Sequence, residues 1–232
     1  MDSIFQKMMF MHVFRTASVA DRFGISRFLG SRRSPLCPGF ATHAPPPLCS
    51  PPQTSAPQEG IDFTTAKIAV WWDTENCHIP KGYDARRLGR SIRDSLEKAN
   101  YQGPVSIYAF GDMQLIPHLT QQALISTGID LHHVPPKNND DKDVSDYKII
   151  GDIFNWTMTN PNPANIMVIS GDKDYSVALH QLRLRRYNIL LGVPLNGASP
   201  SLVIAGNQVW LWTSLLAGGN PLTKTGIAQL IK

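Results

Sequence analysis

Residues 67–73 read KIAVWWD, a near-continuous apolar run that stops on an acid, and runs of the same kind recur down the chain. They are VSIYAF (105–110), IDLHHV (129–134), NIMVIS (165–170) and NILLGV (188–193), with VWLW (209–212) as a sixth. A strand with one solvated face alternates apolar and polar residues. Apart from IDLHHV, these runs do not, so both of their faces must be covered. Helical spacing fills the gaps between them. Asp84 can cap a helix in which Leu88, Ile92 and Leu96 recur at four-residue spacing. A helix around 116–126 ends at Gly128, which suits a C′ position. Another, over about 146–158, turns Ile149, Ile150, Ile153 and Phe154 inward, and one more lies near 175–186. Gly103-Pro104 and Pro135-Pro136 break the chain between elements. The alternation predicts an α/β domain, a doubly wound, mostly parallel sheet in a Rossmann-like three-layer arrangement. In such sheets, ligands bind beyond the carboxyl ends of the strands, where the strand order reverses.

Composition separates this domain from what precedes it. The 232 residues carry a net charge of +4, but residues 1–60 hold six basic and three acidic residues, against sixteen and fifteen in the remainder. The stretch 1–34 is Arg- and Ser-containing and poor in acids, the composition of an organellar transit peptide. Mitochondrial import is expected; chloroplast import is the alternative, and a peroxisomal or cytoplasmic protein results if the segment is an ordinary tail. Residues 35–60 are proline-rich, with Pro45-Pro46-Pro47 and Pro51-Pro52, and read as a linker. No stretch approaches the roughly 20 apolar residues of a membrane span, so no membrane partner is expected. Cys77 is alone in the second part and offers neither a disulfide nor a CxxC zinc site there.

The acids of the folded part gather at strand ends. Asp73 and Asn76 lie in D-T-E-N after the first strand. Asp140, Asp141, Asp143 and Asp146 crowd the loop and helix start after the third, and Asp172 and Asp174 lie in S-G-D-K-D-Y after the fourth. Any one of them is adequately explained as a loop residue or helix cap. Capping does not explain why Asp73 and Asp172 both follow buried strands. Carboxylates placed together repel, and hard oxygen donors of this kind suit Mg²⁺ or Mn²⁺.

These motifs, with S-D-Y-K-I-I-G-D at a helix start, resemble the NYN domain of the PIN-like ribonucleases over roughly residues 66–212. The likeness is greatest to the limkain-like branch and to plant organellar NYN endonucleases. It implies that Asp73, Asp146, Asp172 and Asp174 form an acidic metal site, with Asn76 orienting it or touching the scissile phosphate. Asp143 is an outer candidate. Asp152 matches a second helix acid but, six residues after Asp146, points about 120° away. Where some relatives carry a further acid, this chain has Ser176. The resemblance further implies endonucleolytic hydrolysis of single-stranded or structured RNA, with water as the attacking group.

Cations are grouped near these acids. Arg86, Arg90 and Arg93 form one helical stripe, and Lys142, Lys148 and Lys173 lie beside the acids, all candidates for RNA phosphates. His132 and His133 lack a partner at ligand spacing and read as strand residues. Gly218-Gly219-Asn220-Pro221 is expected to close the domain, leaving a tail within 213–232. A homo-oligomer or a separate RNA-binding module would supply further substrate contacts. Two rival functions use the same architecture: a non-catalytic RNA-binding regulator, and a haloacid-dehalogenase-type phosphatase, for which Glu75 would have to serve as the second acid.

Overall fold

The computed structural model describes residues 61–135 and 144–231. The proposed transit segment and linker, Asp140, Asp141, Lys142 and Asp143 lie outside them. Six strands form one sheet: β1 (Ile68–Asp73), β2 (Val105–Gly111), β3 (Ile129–His133), β4 (Asn165–Ile169), β5 (Asn188–Val193) and β6 (Gln208–Leu211). All pairings are parallel, in the order β3-β2-β1-β4-β5-β6. The winding reverses between β1 and β4, which puts the ligand crevice at their carboxyl ends.

The helices are α1 (Leu88–Lys98), α2 (His118–Ser126), α3 (Val144–Thr159), α4 (Tyr175–Leu184), α5 (Pro200–Ala205), α6 (Trp212–Leu216) and α7 (Lys224–Leu230). Two hydrophobic layers cover the sheet. Ala69 and Trp71 join α3, α4 and α5 on one face. Ile68, Val70 and Trp72 join α1, Leu124 of α2 and Leu215 of α6 on the other. β1 is therefore buried at every position, as its unbroken apolar run requires. None of the described helices is long and apolar enough to cross a membrane.

Local signals act as expected, with adjusted boundaries. Asp84 accepts a hydrogen bond from Arg86 N, capping a 3-10 turn (Ala85–Arg87) that leads into α1 three residues later. Gly128 adopts φ +79° after α2, a conformation that favours glycine at C′. Trp210 and Trp212 pack on the same face, but Trp212 opens α6 instead of ending a strand. The chain also does not leave the domain at Gly218. Leu222 N donates to the carbonyl of Val209, and Ile227 and Leu230 of α7 pack against the first core layer.

Candidate metal centre

Parallel register delivers the site. Trp72 pairs with Ile169, so Asp73 and Ser170 leave β1 and β4 side by side. Ser170 Oγ donates to Asp73 Oδ2 at 3.1 Å. Asp73 is almost fully buried, and its carboxylate organises the following turn. Oδ1 accepts from the backbone N–H groups of Glu75 and Asn76, each at 3.1 Å, while Oδ2 accepts from Asn76 Nδ2 at 2.9 Å. Asn76 thus orients Asp73, and Asp73 holds the turn.

Asp146 lies in the first turn of α3 and is buried. The Tyr175 hydroxyl, at the start of α4, bridges the two acids: 2.5 Å from Asp146 Oδ1 and 3.3 Å from Asp73 Oδ2. A phenol has one hydrogen to give. With Asp146 ionised, that hydrogen serves the shorter contact. With Asp146 protonated, Asp146 can donate to Tyr175 and Tyr175 to Asp73, so the bridge tolerates both states.

Three carboxylates converge. Asp146, Asp172 and Asp174 each offer an oxygen, and these oxygens lie within 4.8 Å of one another. They grade from buried through half-buried to exposed, so the group opens to solvent on one side. Asp172 is turned by its own loop: its backbone N–H donates to Ser170 Oγ, and its Oδ1 accepts from Asp174 N at 3.0 Å. Among the described residues, no lysine or arginine forms an ion pair with Asp73, Asp146 or Asp172. Burial raises the Asp146 carboxyl to about 7; the charges of Asp73, Asp172 and Asp174 add to the rise, and the Tyr175 hydrogen bond opposes it. The donor set, hard carboxylate oxygens gathered on an open side, fits Mg²⁺ or Mn²⁺.

Not every residue singled out by the sequence joins this group. Asp73 is linked to it through Tyr175 while its own oxygens hold the turn. Asp152 turns away, and its Oδ2 accepts from the Trp71 indole at 2.8 Å, as its helical angle from Asp146 dictates. Lys148 and Lys173 are exposed on the rim elements, whereas Arg90 pairs with Asp94 at 3.7 Å. Arg93 is half-buried and donates to the Thr127 carbonyl, fastening α1 to the end of α2. Of that stripe, Arg86 is exposed with no ion-pair partner among the described residues. His132 stacks on Phe110 with centroids 4.4 Å apart, and His133 Nδ1 accepts from Met113 N, so both serve the strand and its turn. Cys77 is buried, and burial, followed by the charge of Asp73, pushes its thiol up to about 12, which keeps it from acting as a nucleophile.

Three contributors escaped the sequence reading: Tyr175, Ser170 and Glu75. Glu75 Oε1 accepts from Asp112 N at 3.1 Å and Oε2 from Ser145 Oγ at 3.2 Å, tying the β1 turn to the end of β2 and the start of α3. With both oxygens committed, Glu75 does not supply the second acid that the phosphatase reading needs. A signal for Tyr175 was present. It leads an inward stripe with Leu179 and Leu182, and a buried phenol requires a partner for its hydroxyl.

The family model of the NYN domain matches residues 67–209. Curated relatives carry the name meiosis regulator and mRNA stability factor 1. The Mus musculus protein is 25% identical over 146 residues, 63% of this chain and 8% of the relative. The Bos taurus protein is 25% identical over 142 residues, 61% of this chain and 8% of the relative. The chain therefore spans only 8% of the length of these relatives. A crystal structure of a protein of unknown function from Vibrio parahaemolyticus superposes with a TM-score of 0.48 at 19% identity, covering 64% of this chain and 93% of that one.

Proposed function

Since the chain belongs to the NYN domain family, which falls within the PIN-like ribonuclease superfamily, we propose that it is a metal-dependent endoribonuclease acting on single-stranded RNA, in RNA processing or turnover. The observation that carries this reading is the convergence of Asp146, Asp172 and Asp174 at the carboxyl edge, beside the strand reversal. The names of the relatives, which concern mRNA stability, support an RNA substrate.

In this reading Asp146, Asp172 and Asp174 hold a Mg²⁺ or Mn²⁺ ion. When bound, such a cation neutralises charge on a phosphodiester and makes water a stronger nucleophile near neutral pH. The chain's own residues do the positioning. Tyr175 keeps Asp146 aimed and favours its ionised form. Asp73, Asn76 and Ser170 fix the turn from which the site is built. Lys148 and Lys173 offer positive charge to flanking phosphates.

A second reading, an RNA-binding regulator that does not cut, draws on the engagement of both Asp73 oxygens by the protein's own donors. The two readings separate in one assay: cleavage of single-stranded RNA by the full chain with Mn²⁺ or Mg²⁺, with a chelator as control. Asp172→Asn is the informative variant, because Asp73→Asn would also disturb the turn. The nuclease reading expects cleavage that the chelator abolishes and the variant lacks. RNA binding with no cleavage under any divalent ion would leave only the regulator.

We further propose, on the composition of residues 1–34, that the protein is imported into mitochondria. Residues 1–60 fused to a fluorescent protein should colocalise with that organelle; a cytosolic or chloroplast pattern would contradict it.

A further inference from the structure

We propose that a groove at the same carboxyl edge, across the Asp73–His78 turn from the acids, takes an unpaired nucleobase of the bound RNA strand. This rests on the RNA reading above and adds to it a subsite with its own chemistry. The groove encloses about 550 Å³, within the roughly 300–1,000 Å³ of small-molecule sites. Thr74 and His78 of the turn form one wall. Leu115 and Pro117, on the approach to α2, and Leu119 in its first turn form another, and Arg86 also lines the groove.

Leu115 and Leu119 are 78% and 79% exposed, an unusual state for two leucines flanking one concavity. The flat faces of a base are the apolar surface that such a wall can cover, and its edge needs polar partners. His78 supplies one. Its Nδ1 lies 2.6 Å from the Thr74 carbonyl, which only accepts, so Nδ1 carries the hydrogen and Nε2 of the neutral ring is an acceptor. The exposed Arg86 guanidinium suits the adjoining phosphate.

The wall shared with the acids is rigid. Trp72 Nε1 donates to the Cys77 carbonyl at 2.7 Å and Trp212 Nε1 to the His78 carbonyl at 2.8 Å, from two indoles packed 5.4 Å apart. Thr74 Oγ1 donates to the Phe110 carbonyl, and Cys77 N to the Asp73 carbonyl. One short turn therefore presents Asp73 and Asn76 towards the acids and Thr74 and His78 towards the groove. An RNA strand crossing that turn places a phosphate at the first and a neighbouring base in the second without reorganising the protein, which favours affinity.

The test is the double variant Leu115→Ser/Leu119→Ser in the full chain, which alters two exposed side chains and no charge. Binding of a labelled single-stranded RNA, and of the same sequence as a duplex, is followed by fluorescence anisotropy with divalent ions chelated. Loss of the apolar contact to the faces of the base predicts weakening of single-stranded binding by about tenfold, with duplex binding unchanged. Unchanged single-stranded binding overturns the inference, as does equal weakening for both forms. A change in self-association with RNA affinity intact also overturns it and marks the groove as a protein contact. The nuclease reading fails separately: if the unmutated chain never cuts but the leucine variant still loses single-stranded binding, the groove stands without the enzyme.

Discussion

At the residue scale, Asp146 and Tyr175 set the electrostatics. The Asp146 carboxyl rises from 3.8 to about 7 in the folded protein. An acid that holds its proton more tightly when folded contributes stability below its unfolded pKa and loses it as pH climbs through the folded one. The cation-free protein should therefore lose melting temperature between about pH 4 and about pH 7 through this group. Thermal unfolding should show a shallower pH dependence in Asp146→Asn, and Mn²⁺ added above pH 7 should restore stability to the unmutated protein only. Tyr175→Phe removes a hydrogen bond that lowers the Asp146 pKa. The acidic limb of the pH–rate profile should then move to higher pH, whereas a purely structural tyrosine would lower the rate evenly at all pH values. Neither role was legible from composition. The sequence shows which acids follow strands, but not which oxygen a distant phenol reaches.

At the element scale, the site depends on three loops being held in step. Glu75 joins the β1 turn to Asp112 and Ser145, next to Asp146. Glu75→Ala should cost about 1–2 kcal/mol in denaturant unfolding and lower the cleavage rate, with Glu75→Gln recovering much of both. Gly111 permits this closeness. It adopts φ +149°, and a Cβ there would lie 2.2 Å from Thr74 Oγ1, so Gly111→Ala should destabilise by about 2–3 kcal/mol. β1, β4 and β5 were readable because a parallel, doubly covered strand leaves an unbroken apolar run, whereas β3, at the sheet edge and only partly buried, alternates apolar and polar residues. The long helices were readable from their four-residue spacing. α5, α6 and α7 were not, because five to seven residues give too little periodicity to distinguish a helix from a loop. Asp152 shows the same limit in reverse: its motif position suggested a ligand, and its helical angle gave it to Trp71.

At the scale of the whole molecule, winding order converts scattered acids into one site. Asp73 and Ser170 are 97 residues apart in sequence and meet because β1 and β4 are neighbours at the reversal, and Asp146 joins them because α3 packs against β1. The overall charge of +4 says little about this, since most of the excess lies before residue 61 and the domain is nearly balanced. The acid cluster by itself repels a phosphate, and a bound cation would reverse that locally. The claim at the centre of the account is therefore tested most directly by the Mn²⁺-concentration dependence of single-stranded RNA cleavage, for the unmutated chain and for Asp172→Asn. The account predicts a rate that rises from zero and saturates for the unmutated protein, and no saturating rate for the variant. Cleavage that persists in excess chelator, or an Asp172→Asn curve superimposable on that of the unmutated protein, would contradict it.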